Sequence, residues 1–151
     1  MTAKEYLNQA YQIDRQIHVI RDKIDKMRDI ATYKSPSFED TGSHTSNNNA
    51  TEDKILKLVE YEKQNEKLIN KLIDKRNEIE RSISRLTDPV QREILERRYL
   101  LYQSWESHYD SVSGRYVKGI VESMGYSRRR TFQLHGEALK NIALNCIELH
   151  L

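Results

Sequence analysis

Residues 3–31 read AKEYLNQAYQIDRQIHVIRDKIDKMRDIA, and the placing of their apolar side chains decides the fold class. Tyr6, Ala10, Ile13, Ile17, Ile20, Ile24, Met27 and Ala31 recur at alternating steps of 4 and 3, with Arg, Lys and Asp between them. That is the a/d seam of a coiled-coil helix held over more than three heptads. Thr2 and Glu5 stand at the spacing of a capping box, which places the helix start near residue 3. At 1.5 Å per residue the helix reaches roughly 45 Å, too long for a small globule to cover.

The pattern breaks at residues 32–51, TYKSPSFEDTGSHTSNNNAT, a polar linker that cannot bury a core. A second helix is expected over 52–86. Its seam takes in Ile55, Leu58, Glu62, Asn65, Ile69, Leu72, Arg76, Ile79, Ile83 and Leu86. The three polar members are expected at the rim of a broader seam that also uses Val59, Leu68 and Ile73. A linker of this length lets the two helices fold back as an antiparallel hairpin, or pair across chains. Two helices bury little on their own, so self-association is expected, with a dimer favoured, through Ile13, Ile17, Ile20, Ile24, Ile69, Leu72 and Ile79.

Composition agrees with a helical, elongated chain. Of 151 residues, 37% are apolar and 32% charged, and there are only 5 Gly and 2 Pro. This is too little core for a large globule and too few turn residues for a β-sandwich or barrel. No run approaches the roughly 20 apolar residues needed to span a bilayer, and the charged N-terminus has no apolar signal region. Cys146 is the only cysteine, which excludes a disulfide framework or a multi-thiolate zinc site within one chain. The expected location is the cytoplasm. The net charge is only +2, so any nucleic-acid affinity must be local.

The heptads stop at Leu86-Thr87-Asp88-Pro89-Val90-Gln91. Asp88 suits an N-cap, Pro89 the first helical position, and Gln91 a capping box. A third helix follows over 89–102, burying Val90, Ile94, Leu95, Leu101 and Tyr99. Residues 103–114, with Trp105, His108 and Tyr109, read as a loop or short turn. A short helix over 116–124 ends at Gly125, which favours a left-handed C-cap. Ser127 caps the last helix, whose apolar stripe is Thr131, Leu134, Ala138, Leu139 and Ile142.

A short helix, a glycine turn and a longer helix opening on Ser127-Arg128-Arg129-Arg130 form a helix-turn-helix layout. With the stripe turned inward, Arg128, Arg129, Phe132, Gln133 and Gly136 face outward. Arginine grips guanine in a bidentate way, glutamine does so for adenine, and a phenyl ring meets the thymine methyl. Three arginines oppose the helix dipole, a cost that a bound anion offsets. The DNA-contacting set is therefore Ser127, Arg128, Arg129, Arg130, Phe132 and Gln133, with Tyr126 and Lys118 as phosphate contacts. No phosphate loop, H-E-x-x-H pair or nucleophile motif is present, so neither enzymatic activity nor a cofactor or metal is expected. The adjacent His108, Tyr109 and Asp110 are read as structural.

The stretch 86–99, then Ile120-x-x-x-Met124-Gly125-Tyr126-Ser127-Arg128-Arg129-Arg130 and Leu134-His135-Gly136-Glu137-Ala138-Leu139, resembles region 4 of sigma-70-type factors. The likeness covers roughly residues 86–143. It is closest in kind to phage-encoded regulators of the ArpU and RinA type, which carry a helical front segment. The resemblance implies that the helix from Ser127 reads promoter double-stranded DNA in a bacterial host cell, in company with RNA polymerase. Arg129 and Phe132 depart from the usual sigma residues, so sequence preference does not transfer. The expected whole is all-α: a long antiparallel coiled-coil hairpin over 1–87, then a small helix-turn-helix domain over 88–151. Two rivals remain at this point: a coiled-coil interaction or inhibitor module, and a small terminase-like DNA-packaging protein.

Overall fold

The computed structural model describes residues 1–32 and 47–146, the side chains of 47–49 excepted. The chain is mostly helical, with helices α1 (Ala3–Thr32), α2 (Asn47–Ser84), α3 (Pro89–Leu95), α4 (Ile120–Met124) and α5 (Arg128–Asn145). A π-helical turn spans Glu96–Leu100, and two short strands, β1 (His108–Tyr109) and β2 (Tyr116–Val117), pair antiparallel. No helix among the described residues is long and apolar enough to cross a membrane. Contacts divide the chain into two compact units, one of residues 1–14 and 74–146, the other of residues 15–73.

In the first unit the start of α1 forms the expected capping box. The Thr2 amide donates to Glu5 Oε2 at 2.7 Å, and the Glu5 amide to Thr2 Oγ1 at 3.2 Å. Leu7 and Ala10 are fully buried. The rest of this core comes from the tail of α2 (Ile79, Ile83), Leu86, and α3 (Ile94, Leu95). Tyr99, Ile120 and the stripe Thr131, Leu134, Ala138 and Ile142 complete it. Cys146 closes this core as a buried free thiol.

Asp88 caps α3 by accepting from the Val90 amide at 2.8 Å. Gln91 does not complete that box. Its side chain is buried and its Oε1 accepts from Asn141 Nδ2 at 2.7 Å, tying α3 to α5. The helix expected over 89–102 is shorter: after Leu95 the chain widens, and the Leu101 amide donates five residues back to Glu96 O at 2.9 Å. Wide turns of this kind shift the register of the side chains that follow. Leu101, expected inside, is accordingly exposed, whereas Tyr99 is buried. Tyr102 then adopts φ +55°, a left-handed backbone that costs an L residue of order 1–3 kcal/mol. That geometry sends its hydroxyl to the Asp14 carboxylate and its ring edge-on to Tyr11, with centroids 5.1 Å apart. Arg76 pairs with the same Asp14 at 2.8 Å.

In the second unit Ile17, Ile20, Ile24 and Ile69 are buried. Val59 and Leu68, expected in a broadened seam, are exposed, while Glu62 and Asn65 are half-buried. Glu62 pairs with Arg28 at 2.5 Å, and Asn65 donates to the Tyr61 carbonyl at 2.8 Å. The polar seam positions thus bind partners rather than yielding to apolar neighbours. Helix α2 begins at Asn47, five residues before the expected start, so the Asn47–Asn49 run belongs to it. The expected linker otherwise lies, from 33 to 46, outside the described residues.

Candidate nucleic-acid interface

Local chemistry sets the direction of α5. Gly125 takes φ +73° and closes α4, its amide shared between Val121 O at 3.2 Å and Glu122 O at 3.3 Å. Only glycine takes such a turn without strain. Two residues on, Ser127 Oγ accepts from the Arg130 amide at 3.2 Å, and Ser127 O from the Thr131 amide at 2.9 Å. The amides of Arg128 and Arg129 have no acceptor among the described residues. Thr131 is fully buried and its hydroxyl donates to Ser127 O at 2.9 Å, so the first turn is pinned from inside.

The pinned turn leaves Ser127, Arg128, Arg129, Arg130, Phe132 and Gln133 exposed, with Tyr126 and Lys118 exposed nearby. Arg130 pairs loosely with Glu137 at 3.9 Å, and Arg129 makes no ion pair among the described residues. Arg128 Nε lies 3.2 Å from Glu106 Oε1. Phe132 is not free as expected: its ring centroid lies 4.7 Å from that of Trp105, and the Arg128 guanidinium sits over it at 5.7 Å. Gly136 has no atom within 4 Å of where a Cβ would stand, so this part of the outer face is open.

Sequence reasoning missed the neighbourhood that holds this face. The loop expected over 103–114 forms a β-hairpin with Tyr116-Val117, which the sequence had assigned to a helix; that helix begins only at Ile120. Asp110 accepts from the Ser113 hydroxyl at 2.6 Å and from the Val112 and Ser113 amides at 3.2 and 3.3 Å, building the hairpin's turn, and these bonds, the hydroxyl's first, hold its carboxyl below the usual range. Glu122 accepts from the Ser107 and Tyr116 hydroxyls, and those bonds lower its pKa. The backbone of 104–105 receives the first amides of α4, Ile120 to Ser104 O at 2.8 Å and Val121 to Trp105 O at 3.1 Å. Gly119 makes this possible, since a Cβ there would lie 2.4 Å from the Glu106 carbonyl carbon. A glycine between Lys118 and Ile120, just ahead of the short helix, was the one signal available beforehand.

Behind the face, His135 is half-buried, with Nε2 2.9 Å from the Tyr99 hydroxyl and its ring edge-on to Trp105 at 4.8 Å. Burial, reinforced by Lys4 and Arg98, lowers its pKa to about 4, so the imidazole is neutral at physiological pH. Among the described residues no group of His, Cys, Asp or Glu is placed to hold a metal. The seam residues expected to join two copies are already occupied. Ile13, Ile17, Ile20, Ile24, Ile69 and Ile79 are buried within a single chain and Leu72 is half-buried. Compared with protein-family models, curated proteins and solved structures, the chain matches none.

Proposed function

We propose that this chain is a DNA-binding regulator of transcription, of the phage ArpU and RinA type, that reads promoter DNA with α5 in the manner of sigma-70 region 4. The observation that carries the reading is the exposed Arg128-Arg129-Arg130 run on the Ser127-capped first turn of α5, whose opposite face is buried. Three cations against a positive dipole end destabilise a helix by some tenths of a kcal/mol each, and a phosphate backbone removes that cost. On this reading α4, Gly125 and α5 are a helix-turn-helix, with α5 in the major groove. Arg128, Arg129 and Gln133 read base edges, and Arg130, Tyr126 and Lys118 meet phosphate.

The α1 and α2 segments of the 15–73 unit act as an antiparallel hairpin. Arg28 meets Glu62, while Met27, Ile30 and Ala31, near the end of α1, share a groove of about 160 Å³ with Lys54, Lys57 and Leu58, earlier in α2. Val19, Ile30, Ile55, Leu56, Val59 and Leu68 stay exposed on this unit. They favour self-association, a dimer first, and they also favour a second reading, an interaction module without DNA activity. The regulator works in the bacterial cytoplasm, beside RNA polymerase, with no catalytic step or cofactor.

Fluorescence anisotropy of a labelled 30-bp duplex with the full chain separates the readings. Binding should weaken steeply with salt; Arg128→Ala plus Arg129→Ala should lower the affinity, and Arg130→Ala plus Lys118→Ala should flatten the log–log slope by about 0.9 per lost phosphate contact. Absent or salt-independent binding would leave only the interaction module.

A further inference from the structure

The strip from Ser104 to Ser107 is held by contacts independent of α5. Its carbonyls accept the first two amides of α4, Ser107 Oγ accepts from the Gly119 amide at 2.8 Å, and Gly119 presses on its backbone. From this strip two neighbouring side chains reach two positions one turn apart on α5. Trp105 packs on Phe132, and Glu106 meets Nε of Arg128. Arg98 lies over the Trp105 ring at 5.2 Å, so guanidinium, indole, phenyl, guanidinium and carboxylate form a chain of contacts.

Both partners of the Arg128–Glu106 pair are well exposed, and such pairs add little stability. Their consequence is direction. A free arginine surrenders the rotamer entropy of its long side chain when it is fixed. Here the ring and the carboxylate engage the guanidinium at its face and at Nε, the side chain stays 70% exposed, and the closest carboxylate contact does not use the two terminal nitrogens. Those are the donors that span guanine O6 and N7. A carboxylate at that place also repels phosphate, which weakens indifferent backbone binding.

We propose that Glu106, braced by Trp105, is a specificity-determining positioning residue: it aims Arg128 at one guanine and penalises DNA bound without that contact. The inference rests on the reading of α5 as the DNA-contacting helix. It places a determinant of base choice twenty-two residues ahead of the arginine it serves.

Selection of bound duplexes from a random 20-bp library tests it, using the full chain as wild type, Glu106→Gln, Arg128→Ala and Glu80→Gln. Glu80→Gln removes a carboxylate paired with Arg76, away from α5. Emission of Trp105, the single tryptophan, reports whether each variant keeps the packed strip. Glu106→Gln should lose about tenfold of discrimination at one base pair, the same pair that Arg128→Ala loses, while its affinity for random duplex rises severalfold. Glu80→Gln should keep the wild-type preference.

If the wild type neither binds random duplex nor enriches any sequence, the DNA reading itself fails. If it enriches a site but Glu106→Gln retains every preference, or the two variants lose different positions, the positioning role is overturned and the DNA reading stands.

Discussion

The two compact units of this chain reverse the order in which their sequences look well folded. Residues 15–73 belong to the most regular stretches of heptad pattern, yet their buried isoleucines retain 6–9% exposure and many large apolar side chains stay in solvent. The other unit has no sustained period beyond residue 86. It holds Leu7, Ile83, Ile94, Leu95, Ile120 and Thr131 at zero exposure. Periodicity secures a helix, but burial needs neighbours on several sides, and a pair of helices supplies one.

Truncation tests that contrast most severely. Ile94→Ala, at a fully enclosed site, should cost about 3–4 kcal/mol, whereas Ile20→Ala, in the two-helix unit, should cost about 1–2 kcal/mol. Urea midpoints at unchanged m would read the difference, and equal losses would show the units to be equally packed. Gly119→Ala comes next, at about 2–3 kcal/mol, because backbone rather than a yielding side chain meets the new methyl. A neutral Gly119→Ala would mean that the 104–107 strip is free to move away from α4.

Acidification distinguishes the units by charge. The unfolded chain protonates His135 near pH 6.5, the folded ring only near 4, so between those values the unfolded state holds more protons. Stability from this group is complete above about pH 6.5 and declines as pH falls toward 4. The loss should be about 1–2 kcal/mol, less than the full shift because solvent screens a half-buried ring. In His135→Asn that slope should vanish from the pH–stability profile. The smallest effect is a gain. Gly136→Ala, with open space around the new methyl, should stabilise α5 by about 0.5–1 kcal/mol in thermal melts. If duplex affinity falls at the same time, the bare backbone at 136 serves close approach to DNA.

What could be read beforehand was local. The caps at Thr2, Asp88 and Ser127 and the left-handed Gly125 involve residues at most four apart, and each is present in the structure. The inward stripe of α5 follows from helical spacing alone, and with it the outward arginines. The π-helical turn over Glu96–Leu100 was not legible in the periodicity, nor was the bond just beyond it, in which Gln103 Nε2 donates to Lys118 O at 2.8 Å, fifteen residues along the chain. Nor was the fate of Glu62, whose acceptance in a seam depends on Arg28, 34 residues away. Phe132 was correctly turned outward, but its cover by Trp105 lay beyond any periodic argument.

The sequence by itself determined a mostly helical chain, the ends of several of its helices and the cluster of guanidinium groups at the start of the last one, because hydrogen bonds within one turn and a 3.6-residue period need no distant partner. Only the tertiary structure decided that a β-hairpin forms over 108–117, which charged residues share a seam, and that Trp105 and Glu106 reach the start of α5. The contacts of Glu62, Trp105 and Glu106 join residues 22 to 34 positions apart, and no local propensity encodes which of many compatible side chains will be brought within reach.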